Sequence, residues 1–256
     1  MNLPPRKVAV TRLEAFSDGM IAFAATLLVV SLEAPRTYDE LINNVYGFVP
    51  FGISFGALFY MWFVHTILFR RYPLSDGVSI MLNGAWLFTI LFYVYPLKFM
   101  ASSFVSLFTR RAGTSVTSVT SVTSVTSWEQ LQNLFIIYAV GWIVVFIIVA
   151  ALYRRAYSTR EVLRLTPVEA YDAVTWSRHY LGFVAAGVLS ILVSLSGIGV
   201  SFGLPGLAYV SIGLFAYFNA RSREPGRELL ATKIGEHPQL ADTMAIDASM
   251  IRDALR

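Results

Sequence analysis

Six apolar segments, each about as long as a bilayer is thick, constrain the fold of this 256-residue chain more than any other feature. A helix needs about 20 mostly apolar residues to cross the hydrocarbon core. The chain is 56% hydrophobic and 14% charged, whereas a soluble domain has about 25% charged residues. We therefore predict an all-α membrane protein with six transmembrane helices, at residues 12–32, 45–69, 78–100 and 131–153, in a segment ending near residue 200, and at 203–219.

Basic residues between these segments predict the orientation of the chain. They precede the first segment and follow the second, fourth and sixth, whereas the opposite loops contain only Arg36, Arg110 and Arg111. Cytoplasmic loops are enriched in Lys and Arg. We therefore expect a multi-pass protein of the plasma membrane with both termini in the cytoplasm, a six-helix domain at 1–220 and a cytoplasmic tail at 221–256.

Local motifs mark two helix starts and one loop. Thr11 with Glu14 and Thr166 with Glu169 each have the capping-box spacing, so we expect helices to begin immediately after Thr11 and Thr166. Residues 114–127 are four Thr-Ser-Val triplets and a trailing Thr-Ser, and a period of three fits neither a helix nor a strand. We expect this segment to be a flexible, low-complexity extracellular loop.

Enzymatic and nucleic-acid functions find no support in the sequence. The chain has no cysteine, and its three histidines lie in different segments. It contains no zinc-protease, serine-hydrolase or phosphate-loop motif. The net charge of +4 is spread over the loops and is interpreted as a sign of membrane topology. We therefore expect neither an enzyme nor a cofactor nor a nucleic-acid partner.

An acidic residue, Asp18, lies inside the first apolar segment. A carboxylate at membrane depth is costly and normally faces protein or water. Donors are expected at the same depth: Trp62 and His65, which share a face of the second helix, and Asn83 on the third. The group is either a polar network that joins helices or a site for a cation or proton. Indole and amide donors favour fixed packing.

Beyond Asp18, four residues form one face of the first helix. Phe23, Thr26, Leu27 and Val30 follow the spacing i, i+3, i+4, i+7. Such a stripe is more often lipid-facing or packed in a core than pore-lining. The Thr26 hydroxyl is equally ambiguous, because it can bond back to the carbonyl four residues earlier. Periodicity alone leaves the role of this face open.

The first three segments resemble the transmembrane-protein-175 family of potassium channels. The matching residues are Arg12, Phe16, Ser17 and Asp18 followed by Gly19 and an Ala/Thr/Leu/Val-rich helix, then the run from Tyr60 to His65, the basic residues after it, and Asn83. The resemblance covers about residues 8–100. It implies the bacterial type of channel, with six helices per subunit, a homotetramer in the lipid bilayer, and a central pore lined by the first helices.

The resemblance also implies roles for the first-helix residues. Rings of Phe23, Leu27 and Val30 would constrict a pore for potassium and other monovalent cations, with Leu27 as the gate and Thr26 as a hydroxyl ring. No fixed cage of protein ligands is implied for potassium, and the sequence has no T-V-G-Y-G filter. Arg12, Phe16, Ser17 and Asp18 would face neighbouring helices and hold the first helix in place, together with Trp62, His65 and Asn83.

Two departures from the family pattern affect the constriction. Phe23 stands where isoleucine or leucine is typical, and Val30 replaces a common leucine, so the relative tightness of the two rings differs from the usual pattern. Two alternatives to a channel stay open at this point. They are a proton-coupled transporter that uses Asp18 and His65, and a membrane scaffold that transports nothing.

Overall fold

All regular structure described in the computed structural model is helical. The structure describes residues 11–30, 36–111, 127–200 and 203–236. The low-complexity loop, apart from Ser127, and residues 237–256 therefore lie outside the described residues. The helices are α1 (Arg12–Val30), α2 (Tyr38–Arg71), α3 (Gly77–Arg111), α4 (Trp128–Ser158), α5 (Pro167–Ser196), the single turn α6 (Leu204–Leu207), a 3-10 turn (Ala208–Val210) and α7 (Ser211–Glu236).

Five of the described helices are long and apolar enough to cross a membrane. The described part of the chain is thus helical as predicted, and these spans match the first five predicted segments. They are Arg12–Val30, Phe48–Arg71, Gly77–Val94, Trp128–Ser158 and Pro167–Ser196.

The sixth predicted segment has a more broken structure than expected. Instead of one helix from residue 203 to 219, the chain forms α6, the 3-10 turn and then α7. Gly203 has a left-handed backbone with φ 72°, and Pro205 lies in the first turn of α6. Because α7 continues without interruption through the charged residues to Glu236, no helix end separates a sixth span from the tail. A sixth membrane crossing stays a prediction.

Two helices extend well beyond their predicted ends. The second begins at Tyr38 and contains Pro50, and the third continues to Arg111 and contains Pro96. Hydropathy marks the part of a helix that matches the hydrocarbon core, about 20 residues, and not the helix end. Internal prolines are tolerated in such helices because neighbouring groups satisfy the freed carbonyls.

The predicted capping boxes are both present. Glu14 accepts a 2.7 Å hydrogen bond from the Thr11 backbone nitrogen, and its own nitrogen donates to Thr11 Oγ1 at 3.3 Å. The same pair of bonds joins Thr166 and Glu169 at the start of α5. The boxes satisfy N–H groups that the first helical turn leaves without partners. The start of α1 is therefore well defined.

The buried core of the described chain extends from α1 to α5, with its most extensive packing between α4 and α5. Large aromatic side chains of α4 are almost fully buried there, including Tyr138, Phe146 and Tyr153. Gly141 permits close approach, since a Cβ at this position would lie 2.4 Å from the Tyr93 ring of α3. The first helix packs at the side of this core, against α2 and α3. This arrangement leaves α1 with only one covered face.

Charged residues join several helices at one end of the bundle. Asp172 of α5 is buried and accepts a hydrogen bond from Arg71 at the end of α2. Arg227 of α7 approaches the same carboxylate at 3.7 Å. The Tyr72 hydroxyl donates to the Glu169 carbonyl at 3.1 Å. Arg71 of α2 and Arg227 of α7 therefore lie on the same side of the bundle, and the cytoplasmic location of that side stays a prediction.

A second ion pair at this end connects α3 with α4. Asp76 accepts from Arg155 Nε at 3.0 Å and from Ser79 Oγ at 2.5 Å. Partial burial raises the pKa of Asp76, but the hydrogen bonds from Ser79 and Arg155 and the Arg155 charge outweigh it, so the pKa lies below its ordinary value. The carboxylate form is therefore favoured by folding.

We expect Asp76→Asn to lower the stability of the folded chain by about 1 kcal/mol at neutral pH, the order of one hydrogen bond plus a partly exposed ion pair. A depressed pKa contributes stability above the unfolded pKa, and this contribution is lost as the pH falls through the folded pKa. The variant should therefore lose less stability than the parent below about pH 4. Thermal melting in detergent across this range measures both effects. An identical pH dependence in both proteins would contradict the assignment.

Candidate ion-conduction site

The first helix has one covered face and one uncovered face. Ser17, Ile21, Ala24 and Leu28 are buried at spacings of four, three and four residues. These residues pack against α2 and α3, so they fix which side of α1 points away from the bundle. The remaining side is mostly apolar and is exposed in the described part of the chain.

The four residues of the predicted pore stripe lie on or beside the uncovered side. Phe23 is 53% exposed and Val30 is 71% exposed. Thr26 is also exposed, whereas Leu27 is half-buried at the edge of the face. The Thr26 hydroxyl donates to the Ala22 carbonyl at 2.9 Å, which leaves its oxygen lone pairs directed outward. An apolar face of this kind must contact lipid or another subunit.

Three of the predicted polar residues form a buried chain of hydrogen bonds. Asn83 Nδ2 donates to Ser17 Oγ at 2.9 Å, and Asn83 Oδ1 is 2.8 Å from His65 Nε2. Ser17 Oγ in turn donates to the Leu13 carbonyl at 2.8 Å. Ser17 and Asn83 have no solvent exposure. With the amide oxygen facing the ring, His65 donates from Nε2, and the chain connects α2, α3 and α1.

Asp18 belongs to a separate contact. Its carboxylate accepts a 2.8 Å hydrogen bond from Trp62 Nε1 of α2, near the edge of the uncovered face. Of the three donors considered for Asp18, the structure therefore selects Trp62, while His65 and Asn83 bond to each other. A relay from Asp18 directly to His65 gains no support from this pairing.

Arg12 and Phe16 contribute little to the packing of the single chain. Arg12 is exposed, and Phe16 is 59% exposed. The structure does not bury them against a neighbouring helix of the same subunit. Their predicted anchoring role therefore requires contacts beyond the described part of this chain.

Aromatic partners of His65 were missed from the sequence. The Trp86 ring stacks on His65 at a centroid distance of 5.0 Å, and the Phe69 ring lies at 4.5 Å. Phe69 follows His65 by four residues and Trp86 follows Asn83 by three, so each shares a helix face with a network residue. This spacing was the sequence signal that could have identified the two rings as neighbours of His65. The rings restrict His65 to one orientation.

These features define a multi-pass α-helical membrane protein. Hydrogen bonds hold its first helix near one end, and one face of that helix is uncovered. A family model described as the endosomal/lysosomal potassium channel TMEM175 matches residues 12–93, the part of the chain that contains this site.

Similar proteins and solved structures support this family match. A potassium channel of Marivirga tractuosa is 33% identical over 185 residues, which cover 72% of this chain and 74% of that protein. A potassium channel of Chamaesiphon minutus is 29% identical over 105 residues, covering 38% of this chain and 52% of its own length. A crystal structure of a variant of the potassium channel MtTMEM175, bound to a nanobody fusion protein, superposes with a TM-score of 0.75 at 30% identity, covering 86% of this chain and 96% of that chain.

A second solved structure shares the fold. It is a lysosomal potassium-selective channel TMEM175 homolog from Chamaesiphon minutus, with a TM-score of 0.54 and 20% identity over 81% of this chain and 96% of that one. The chain belongs to the TMEM175 family of potassium channels. The expectation from the first-helix motif is thereby confirmed, and the family is one of ion channels and not of enzymes.

Proposed function

We propose that this chain forms a potassium-preferring cation channel in which the first helices of four identical subunits line a central pore. The observation that carries the proposal is the uncovered apolar face of α1, with Phe23 and Val30 exposed on a helix whose opposite face is buried. One subunit supplies one first helix, so a closed pore lined by first helices requires several copies around an axis. A homotetramer in the plasma membrane, with six spans per subunit and both termini cytoplasmic, meets this requirement.

The constriction works by excluding water. Apolar side chains that meet on an axis dewet the pore and block ions without a plug. Phe23, Leu27 and Val30 form successive rings, with Leu27 as the gate and Thr26 as the hydroxyl ring between Phe23 and Leu27. Phenylalanine is larger than valine, so the Phe23 ring is the tighter end. The same rings act as filter, since the ion must shed water to pass.

The polar contacts at the base of α1 give the pore helix a fixed end. Ser17 is held through Asn83 and His65, and Asp18 through Trp62. Because these bonds lie near one end of α1, the far end with Leu27 and Val30 is freer to tilt. Arg12 and Phe16 are exposed on the subunit and available for a neighbouring subunit. Asp18 is therefore an anchor and not an ion ligand.

A flux assay in proteoliposomes tests the proposed function. We expect potassium efflux from the vesicles to exceed sodium efflux under matched gradients. In planar bilayers we expect the potassium current to rise and fall in discrete single-channel steps. Flux that saturates and requires a pH gradient would instead indicate a transporter. The mass of the purified protein in detergent tests the assembly, and a monomer would contradict the pore.

Asp18→Asn tests the anchoring role. We expect the variant to give less assembled protein than the parent, because the neutral amide is a weaker acceptor for the Trp62 indole than a carboxylate is. Channels that do form should keep the parental potassium-to-sodium ratio. Size-exclusion yield and bi-ionic reversal potentials measure the two effects.

Trp62→Phe serves as the matched control, because it removes the donor of the same bond and leaves the carboxylate in place. It should reproduce the loss of assembly. A changed ion ratio with normal assembly in Asp18→Asn would instead assign the carboxylate to the ion path.

A further inference from the structure

Arginines at the charged end of the bundle fall into two groups. Arg71 and Arg155 point inward and pair with the carboxylates of Asp172 and Asp76. Arg154 and Arg160 instead converge on one aromatic ring, that of Tyr157. The carbon centres of their guanidinium groups lie 5.4 Å and 4.8 Å from the ring centroid. Both distances are within cation–π range. The second group is therefore held by an aromatic ring, whereas the first group is neutralised by carboxylates.

The donors of this second group are only partly used. Arg160 contacts the Tyr157 carbonyl at 3.3 Å and Glu161 Oε1 at 3.4 Å, both long for charged hydrogen bonds. Arg160 Nε is buried and, among the described residues, has no hydrogen-bond partner, so a further acceptor must reach the terminal nitrogens of this side chain. Glu161 is itself 70% exposed in its side chain. A guanidinium has five N–H donors, so an additional anionic acceptor can bind here.

The position of Arg154 along α4 places this pair at the membrane surface. Val140, Ile147 and Arg154 follow one another at intervals of seven residues, so they lie on one helix face. All three are exposed, and the first two are apolar. This line is a lipid-facing stripe that ends in a cation. Tyr157 lies one turn further on, at the depth where tyrosine is enriched in membrane proteins.

The loop after α4 also exposes an apolar side chain close in sequence to the cations. Val162 is 84% exposed, two residues after Arg160. Apolar and cationic side chains in one short segment at the bilayer surface suit an amphiphilic ligand. Its acyl chain would contact the apolar groups and its anionic headgroup would contact the arginines. A soluble anion would explain the arginines but not the valine or the apolar stripe.

We propose that Arg154, Arg160 and Tyr157 form a binding site for the phosphate of an anionic membrane lipid. The guanidinium groups bind the phosphate oxygens, Tyr157 keeps the two cations together, and the acyl chains lie along Ile147 and Val140. Basic pockets at the ends of membrane helices recognise such headgroups by the same chemistry. The site belongs to a single subunit and does not depend on ion conduction.

Native mass spectrometry of the full-length protein in detergent tests this site, with phosphatidylglycerol and phosphatidylcholine titrated separately. We expect the wild type to bind phosphatidylglycerol more tightly. The double variant Arg154→Gln/Arg160→Gln should lose that affinity about tenfold, the scale of removing two charge-assisted contacts. Arg154→Gln alone changes an exposed position, so it should weaken binding with an unchanged melting temperature.

The matched control removes two charges elsewhere. Arg178 and Arg221 are exposed on α5 and α7, and Arg178→Gln/Arg221→Gln should keep wild-type affinity for phosphatidylglycerol. Equal losses in the two double variants would overturn the site in favour of general charge attraction. Wild-type affinity in Arg154→Gln/Arg160→Gln would overturn it directly.

A competition experiment distinguishes binding of a lipid from binding of free phosphate. Inorganic phosphate should not displace phosphatidylglycerol from the wild type when both are at the same concentration. Displacement under these conditions would show that the acyl chains contribute nothing and would overturn the lipid assignment.

Discussion

Leu27→Ala is expected to raise potassium current through reconstituted channels about tenfold, a change that needs only about 1.4 kcal/mol off the barrier to conduction. Leu27 is the proposed gate, and truncating one leucine in each subunit widens the ring and lets water enter. Because Leu27 lies at the edge of the uncovered face, its loss removes only part of the packing of α1. Single-channel recording in planar bilayers measures the effect, and Phe23→Ala should act in the same direction.

Leu28→Ala is the matched control for this result. It makes the same substitution one residue further on, where the side chain is 1% exposed and faces the bundle. We expect a loss of stability of about 2–5 kcal/mol, as for other buried leucines, without a rise in single-channel current. Unchanged current in both Leu27→Ala and Phe23→Ala would count strongly against a hydrophobic gate on this helix.

Asn83→Ala is expected to cause the largest loss of assembled protein. Asn83 is fully buried and connects Ser17 of α1 with His65 of α2. Its removal leaves both partners buried without that bond, which costs about 1–3 kcal/mol per unsatisfied group. We expect a lower melting temperature and a smaller yield of oligomer. Melting in detergent and size-exclusion chromatography measure these effects.

Thr89 supplies the comparison on the same helix. Its hydroxyl donates an exposed hydrogen bond to the Ala85 carbonyl of its own helix, at 2.8 Å. Thr89→Ala should therefore leave melting and assembly close to those of the parent. If Asn83→Ala melts like Thr89→Ala, the hydrogen-bond chain contributes nothing to the position of α1.

The helical architecture and the family could be predicted because long apolar segments and the first-helix motif are local signals. The capping boxes at Thr11 and Thr166 were equally local, and both are present. The ends of α2 and α3 could not be predicted, because hydropathy reports membrane depth and not where a helix ends. The break before Ser211 depends on Gly203 and Pro205 acting together, which a hydropathy window averages away.

The sequence could predict which residues form the polar site, but not which of them form hydrogen bonds with each other. Spacing placed Trp62, His65 and Asn83 at one depth, but it could not choose which donor reaches Asp18, since that depends on distances between helices. The two faces of α1 presented the same difficulty. Ala24 and Leu28 on the buried face are as apolar as Phe23 and Val30 on the uncovered face, so only packing against α2 and α3 distinguishes them.

The most direct test of the central claim uses the absence of cysteine from this chain. A single cysteine at Val30, which is 71% exposed, should react with a positively charged thiol reagent and thereby reduce potassium current. Leu28→Cys, on the buried face, and the cysteine-free parent should keep their current. If mass spectrometry shows complete modification of Val30→Cys while potassium flux is unchanged, the uncovered face of α1 does not line the ion path.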